Sequence, residues 1–374
     1  VRERAPLLVA LALRLLLALV CDRVVADVQR YEKVATHVLD VSANPYTTER
    51  LYPYPPVFVV AEAGSLWLAR HGLGSFAVLV KLPAIAADVS IVGLLLSWVG
   101  TRAGWLYALH PVALLITGAH GQFDALMLLP VLLALRWHGQ GRLDRAALAL
   151  AAAIAVKTFP VLLLPLFLLA SPRESWMRFV ALALAPLLLL LLPFALLDPG
   201  ALLRELGAYG GVADLGWIAV VRGLRFLASG ALARSEARFW ANEVVVSKLL
   251  FLAADLGLLL ALARGWLRLS LTQASLAVLL AFHVFYGALS VQYLLWLVPL
   301  GLLLSDRFAV ASAAASTLAL LGFYPFLAPG VLWPAGLDLV SRATAGTLWA
   351  WGVIAVQVVH AAWLRDLLRR RPSP

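Results

Sequence analysis

The chain is 374 residues long, 63% hydrophobic and only 13% charged, where a soluble globular domain carries roughly 25% charged residues to cover its surface. That composition excludes a water-soluble fold. The net charge of +10 comes from arginines set between apolar runs rather than along one face, which argues against nucleic acid as a partner, and the single cysteine, Cys21, excludes an internal disulfide framework or a thiolate metal cluster.

Apolar runs such as Phe179 to Leu197 and Leu249 to Ala263 are long enough, or nearly so, to cross ~30 Å of hydrocarbon at ~1.5 Å per residue. The first run, Pro6 to Val20, follows Arg2 and Arg4 with no small-residue cleavage site after it, and reads as an uncleaved span. Requiring all Arg-rich short loops to share the cytosolic side closes on about twelve spans. They cover approximately 6–21, 77–99, 103–118, 123–137, 146–156, 160–171, 177–197, 249–267, 270–288, 291–304, 307–326 and 346–364, with both termini inside. Inside loops then carry Arg102, Arg136, Arg142, Arg145, Arg173, Arg178, Arg264, Arg268 and Arg307, and the tail carries Arg365 and Arg369 to Arg371; short outside connections carry only Lys157 and Arg342.

The stretch Val57 to Ala69, with Glu62 inside it, is too short to cross and is expected to lie along the outer interface as an amphipathic juxtamembrane helix, Trp67 at headgroup level. The expected fold is therefore all-α, a polytopic integral membrane protein forming a single membrane domain over 1–374. Its outer parts are a first loop, 22–76, and a second segment, 198–248. No inside loop exceeds about ten residues, too few to build a nucleotide-binding domain, so ATP and nucleotide sugars are poor candidate substrates. No internal repeat is visible.

Chemistry-bearing residues return to the outer side. Asp27 lies just beyond the first span, where a low-dielectric surround favours a useful general base, although a solvated loop acid is the plainer reading. Arg30, Tyr31 and Glu32 follow it, then Asn44-Pro45-Tyr46 and Tyr52-Pro53-Tyr54-Pro55-Pro56, whose prolines favour a rigid extended turn. Lys81 falls in the first turn or so of the second span, placed to meet a lipid phosphate or to snorkel. Asp88, deeper on that helix, has Arg14 as an expected buried ion-pair partner. His120, Gln122 and Asp124 form a tight polar turn, and Lys157 joins two short helices close to an apolar groove, where an ammonium suits the phosphate of a membrane-embedded donor. Gln292 and Tyr293 sit at an outer turn near His283, within reach of sugar hydroxyls. In the second outer segment Tyr209, Trp217, Arg222, Arg225 and Trp240 suit an acceptor, since aromatic faces stack on sugars and Arg attracts anionic headgroups.

Taken in order, the acid after the first span, Asn44 to Tyr46, Tyr52 to Pro56, Lys81 with Asp88, His120 to Asp124, Lys157 to Pro160 and Gln292 to Trp296 resemble the GT-C superfamily of membrane glycosyltransferases. The likeness is greatest to the actinobacterial mannosyltransferases that use polyprenyl-phosphate mannose. It spans roughly residues 1–305 and rests on the order and common side of the motifs. The resemblance implies inverting transfer of a sugar, mannose first among the candidates, from a polyprenyl-phosphate carrier to an acceptor hydroxyl on a glycolipid or glycan, at the non-cytosolic face of the cell membrane. It makes 1–197 the catalytic-type module and 249–374 the variable C-terminal helices, with Asp27 as base by position and Glu32 as the competing acid. Lys157, Lys81 and His120, with Arg30, would neutralise the departing phosphate, and Tyr31, Tyr54, Gln122, Asp124, Gln292 and Tyr293 would line the substrate site. Some GT-C members bind a divalent metal through Asp-x-Asp or Asp-Glu; this chain has neither pattern, so no metal or other cofactor is expected. Two readings compete: a transporter or lipid flippase, which buried Arg14, Asp88 and Asp255 also suit, and a scaffolding membrane subunit.

Overall fold

The computed structural model describes residues 4–23, 26–48, 52–207, 211–332 and 340–370; Arg2, Tyr209 and Arg371 lie outside them. Among the described residues the chain is built of helices, with no strand. Five helices are long and apolar enough to cross a membrane: Phe76–Trp98, Arg173–Leu197, Ala237–Ala263, Arg307–Leu327 and Arg342–Arg369. Other expected spans coincide with shorter helices: Ala5–Val20, Pro111–His120, Phe159–Leu169, Leu271–Phe285 and Val291–Leu303, together with Asp124–Gly139 and Leu143–Val156. The run expected to form one span over 103–118 is interrupted. Helix Thr101–Ala108 stops, His110 takes an extended conformation before Pro111, and the chain resumes into a π-helical turn, Leu114–His120. A residue before proline is pushed out of the helical region, and the proline supplies no N–H to the preceding turn.

The chain forms two compact units, one of Arg14–Ile91 with Gly121–Tyr209, the other of Val1–Leu13, Val92–His120 and Gly210–Pro374. In the first unit, much of the expected loop 22–76 is helical. Ala26–Asp40 contains neither proline nor glycine, and its apolar positions recur at helical spacing, so Val28, Tyr31, Val34 and Ala35 are buried while Gln29, Arg30 and Lys33 face out. It packs against Val57–Arg70, a helix of 14 residues, about 21 Å long. An exposed bidentate pair joins Arg70 to Asp40 at 2.7 and 2.6 Å. Between these helices the chain is held as the prolines imply. Tyr52 donates its backbone N–H to the buried Glu205 at 3.0 Å, its hydroxyl donates to Pro55 O at 2.9 Å and accepts from Val59 N at 3.0 Å. Tyr46 and Tyr52 then pack with Val34, Val59, Ala201 and Leu202 in one core.

In the second unit the most extensive pairing joins Arg307–Leu327 to Arg342–Arg369. Lipid tails offer no hydrophobic drive for helices to associate, so close backbone approach through small residues supplies it. Gly322 lies against the Trp349 backbone and Gly352 against the Ala319 backbone, with no room for a Cβ at either. The helix starts are capped locally: Ser270 and Gln273 form a reciprocal capping box, and Asp306 accepts from Phe308 N. The segment expected over 198–248 ends sooner, since the helix running to Ala263 begins at Ala241, after a short 3₁₀ turn from Ala237. Replacing Gly322 by Leu forces this helix pair apart and is expected to cost about 1–3 kcal/mol, read as a lowered midpoint of thermal unfolding in detergent; an unchanged midpoint would contradict the packing described.

Candidate functional site

Helix Ala26–Asp40 brings Asp27 and Tyr31 onto one face, since they are four residues apart and stand one above the other. Both address Gln122. The amide Nε2 of Gln122 donates to Asp27 Oδ2 in a short hydrogen bond, and the Tyr31 hydroxyl donates to Gln122 Oε1 at 3.2 Å. These two bonds fix which way the amide points. Gln122 sits where the π-helical turn gives way to helix Asp124–Gly139, and Gly121 makes the turn with a positive φ of 84°. A Cβ on Gly121 would meet the Lys81 side chain at 2.8 Å, so only glycine serves at this point. Asp27 itself is half-buried while Gln122 is buried.

Asp124 opens the next helix and ion-pairs with Lys157 at 2.8 Å, the two side chains being 0% and 7% exposed. Lys157 is positioned by the end of helix Leu143–Val156, where it adopts extended backbone geometry. Its ammonium lies 4.4 Å from the centroid of the Phe123 ring and 5.5 Å from that of Tyr54. Phe123 stacks on Phe58 at 3.9 Å and meets Tyr54 and Tyr31 edge-on at 5.0 and 5.9 Å. A cation held against aromatic faces is desolvated yet still attracted by the rings. The unit therefore concentrates a half-buried carboxylate, an oriented amide, a phenol and an ion-paired ammonium around an aromatic cluster.

Of the remaining expected site residues, Lys81 lies against the Gly121 turn. Lys81, in the same unit, donates to Cys21 O at 2.7 Å and is 1% exposed. Arg30 is exposed and Glu32 half-buried. Glu32 lies five residues after Asp27, about 140° around the helix from it at ~100° per residue, and so away from the face that carries Tyr31. His120, Gln292 and Tyr293 belong to the other unit. There His120 Nδ1 meets the Tyr324 hydroxyl at 3.2 Å, and the Tyr293 carbonyl receives His283 Nε2 at 3.2 Å, with Gln292 buried beside it in the chain. Arg14 and Asp88 form the buried pair that the sequence implies. Asp255 is buried, with an oxygen that finds no hydrogen-bond partner among the described residues. No three His, Cys, Asp or Glu side chains stand close enough to hold a metal among the described residues.

One residue of the site escaped the sequence reading. Glu62, on helix Val57–Arg70 one turn past Phe58, is 1% exposed, and neither carboxyl oxygen has a hydrogen-bond partner among the described residues. Burial drives its pKa well above the ordinary carboxylate value, which favours the protonated form. Burial likewise raises the Tyr31 phenol, with the nearby Asp27 charge adding to the effect, so Tyr31 serves as a neutral donor. The only signal in the sequence was an acid interrupting an apolar helix face.

No protein-family model, curated protein or solved structure matches this chain.

Two outcomes follow from these environments. A carboxyl that is harder to ionise folded than unfolded adds stability that is complete below the unfolded value of about 4.5 and is lost as pH rises through the folded value. Glu62→Gln is therefore expected to gain stability relative to the parent as pH rises above that point, and to lose the advantage toward pH 4.5, in paired thermal melts across pH; parallel pH profiles would refute it. Asp124→Asn strands the Lys157 charge and should cost about 3–5 kcal/mol, whereas Asp124→Asn with Lys157→Met should recover most of that, measured by unfolding in detergent.

Proposed function

We propose that the chain is an inverting glycosyltransferase that moves a sugar, mannose by resemblance, from a polyprenyl-phosphate carrier to an acceptor hydroxyl at the non-cytosolic face of the membrane. The observation that carries this reading is the joining of Asp27, Gln122 and Tyr31 in one hydrogen-bonded line, within the same compact unit as the Lys157–Asp124 pair and its aromatic rings. Support also comes from the order of the motifs along the chain, which resembles the GT-C superfamily, and from the five helices fit to cross a membrane. The full arrangement is a polytopic one of about twelve spans, with both termini cytosolic and the Ala26–Asp40 and Val57–Arg70 helices on the outer surface.

In the transfer, the acceptor oxygen attacks the anomeric carbon as the carbon–oxygen bond to phosphate breaks, inverting that centre. The acceptor proton passes to Asp27, and polyprenyl phosphate departs with the bonding pair. A phosphate leaving group needs no protonation, so one carboxylate suffices. Gln122 orients the half-buried carboxylate that takes the incoming proton. Lys157, steadied by Asp124, offers positive charge to the phosphate as its negative charge grows, and Lys81 and Arg30 are further cations in the same unit. Tyr54 and Phe123 supply apolar faces suited to a sugar ring. The chemistry asks for no cofactor.

Asp27→Asn keeps the hydrogen-bonding shape of the side chain and removes its basicity. Purified full-length protein given polyprenyl-phosphate mannose and a membrane glycolipid extract should release polyprenyl phosphate, and the variant should do so at least ~100-fold more slowly with an unchanged melting temperature. Turnover near the parent rate would remove Asp27 as base. Absence of release from the parent protein, alongside accelerated movement of the intact carrier lipid between leaflets, would instead favour a flippase.

A further inference from the structure

In the second unit, helix Gly216–Ser229 and the segment following it hold three arginines against aromatic rings. Arg225 lies over Trp240, its guanidinium carbon 5.7 Å from the ring centroid. Arg234 and Arg238 both address Phe239, at 4.4 and 4.8 Å. All three guanidinium groups are exposed, as is Phe239 at 44%. Among the described residues the only acid paired with them is Glu236, 3.8 Å from Arg238 with both side chains largely in solvent. A guanidinium lying on a ring keeps its N–H edge free, which is the edge that binds phosphate oxygens in a fork.

The sequence pointed to Arg222 for this kind of contact, and the structure gives it another task. Arg222 is 1% exposed, donates to Ala233 O at 2.9 Å and to Ala213 O in a short bond, and lies 5.2 Å from the Trp349 ring. The segment it grips is fastened twice more, by Ala213 N donating to Ser235 O at 2.8 Å and by Trp240 Nε1 donating to Arg234 O at 2.8 Å. The arginine cluster is thus held by a rigid base and loses little entropy when it meets an anion.

Its place along the chain names the partner. Phe239 and Trp240 lie in the first turn of the candidate span Ala237–Ala263, of whose most apolar window only 28% is buried within the protein. Beyond Trp240 the exposed Val245, Val246, Leu249, Leu250 and Leu252 offer an apolar surface suited to acyl chains, with Leu249 about 15 Å further in at ~1.5 Å per residue. The cluster therefore stands where hydrocarbon gives way to headgroups, with an excess of positive charge. We propose that Arg225, Arg234 and Arg238, set on Phe239 and Trp240, form a binding site for the phosphate of an anionic phospholipid in the leaflet that this span enters. The assignment is independent of glycosyl transfer.

The test is native mass spectrometry of the full-length protein in detergent, titrated with phosphatidylglycerol or phosphatidylcholine, for the parent and for Arg225→Gln/Arg234→Gln/Arg238→Gln. With roughly a five-fold affinity contribution per arginine near an anionic surface, the triple variant should lose at least ~10-fold in phosphatidylglycerol affinity while phosphatidylcholine binding and the melting temperature hold. Phe239→Leu, which keeps every charge, should show part of that loss. A triple variant that retains the parent's phosphatidylglycerol affinity would overturn the site. Full displacement of the lipid by millimolar inorganic phosphate would overturn its assignment to a membrane lipid.

Discussion

Charge inside an apolar chain must be answered by charge or by dipoles, and the rest of this molecule is arranged around the few places where that happens. Lys157 and Asp124 pair at 2.8 Å with hardly any solvent at either. Several kcal/mol attach to each desolvated ion, and the pairing offsets that cost. The same constraint pairs Arg14 with Asp88 and sends the buried Arg222 to backbone carbonyls. The two ion pairs tie together segments 33 and 74 residues apart in sequence. Each also leaves a pre-set cation or a pre-set turn, so that satisfaction of buried charge and preparation of a polar site are the same event.

The aromatic residues extend that logic from electrostatics to shape. Phe58 stacked on Phe123, with Tyr31 and Tyr54 edge-on, keeps water away from the Lys157 ammonium while presenting faces rather than hydrogen-bonding groups. Within this cluster the acids diverge. Asp27 is half-buried with an amide donor, whereas Glu62 is fully buried with no hydrogen-bond partner among the described residues, and burial raises its pKa well above the ordinary carboxylate value. The same carboxyl chemistry is thus set differently by its surroundings, with burial favouring the neutral form of Glu62.

Periodicity and proline made much of the helical plan legible. The runs that became Phe76–Trp98, Arg173–Leu197 and Arg307–Leu327 were bounded to within a few residues, because length and apolarity are local properties of the chain. The break at His110 and Pro111 was missed, since hydropathy averages over a proline whose effect falls on the backbone of its neighbours. Helix Ala26–Asp40 is polar on one face and so resembles a loop in sequence, and its packing on Val57–Arg70, Phe123 and the Tyr46–Tyr52 core supplies the apolar partners that make such a helix stable.

At the candidate site, composition and spacing by themselves determined which residue types could act: an acid beyond the first span, a polar turn at His120 to Asp124, a lysine at the end of a short helix. Pairing was decided only by the tertiary structure. Nothing in the spacing tells that Gln122 serves Asp27, that Asp124 pairs with Lys157, that His120 has Tyr324, or that Glu62 is buried with no hydrogen-bond partner among the described residues. The reason is physical: helical propensity and membrane partition act over a few residues, while the ionisation and orientation of a buried group depend on what the fold brings against it from tens of residues away.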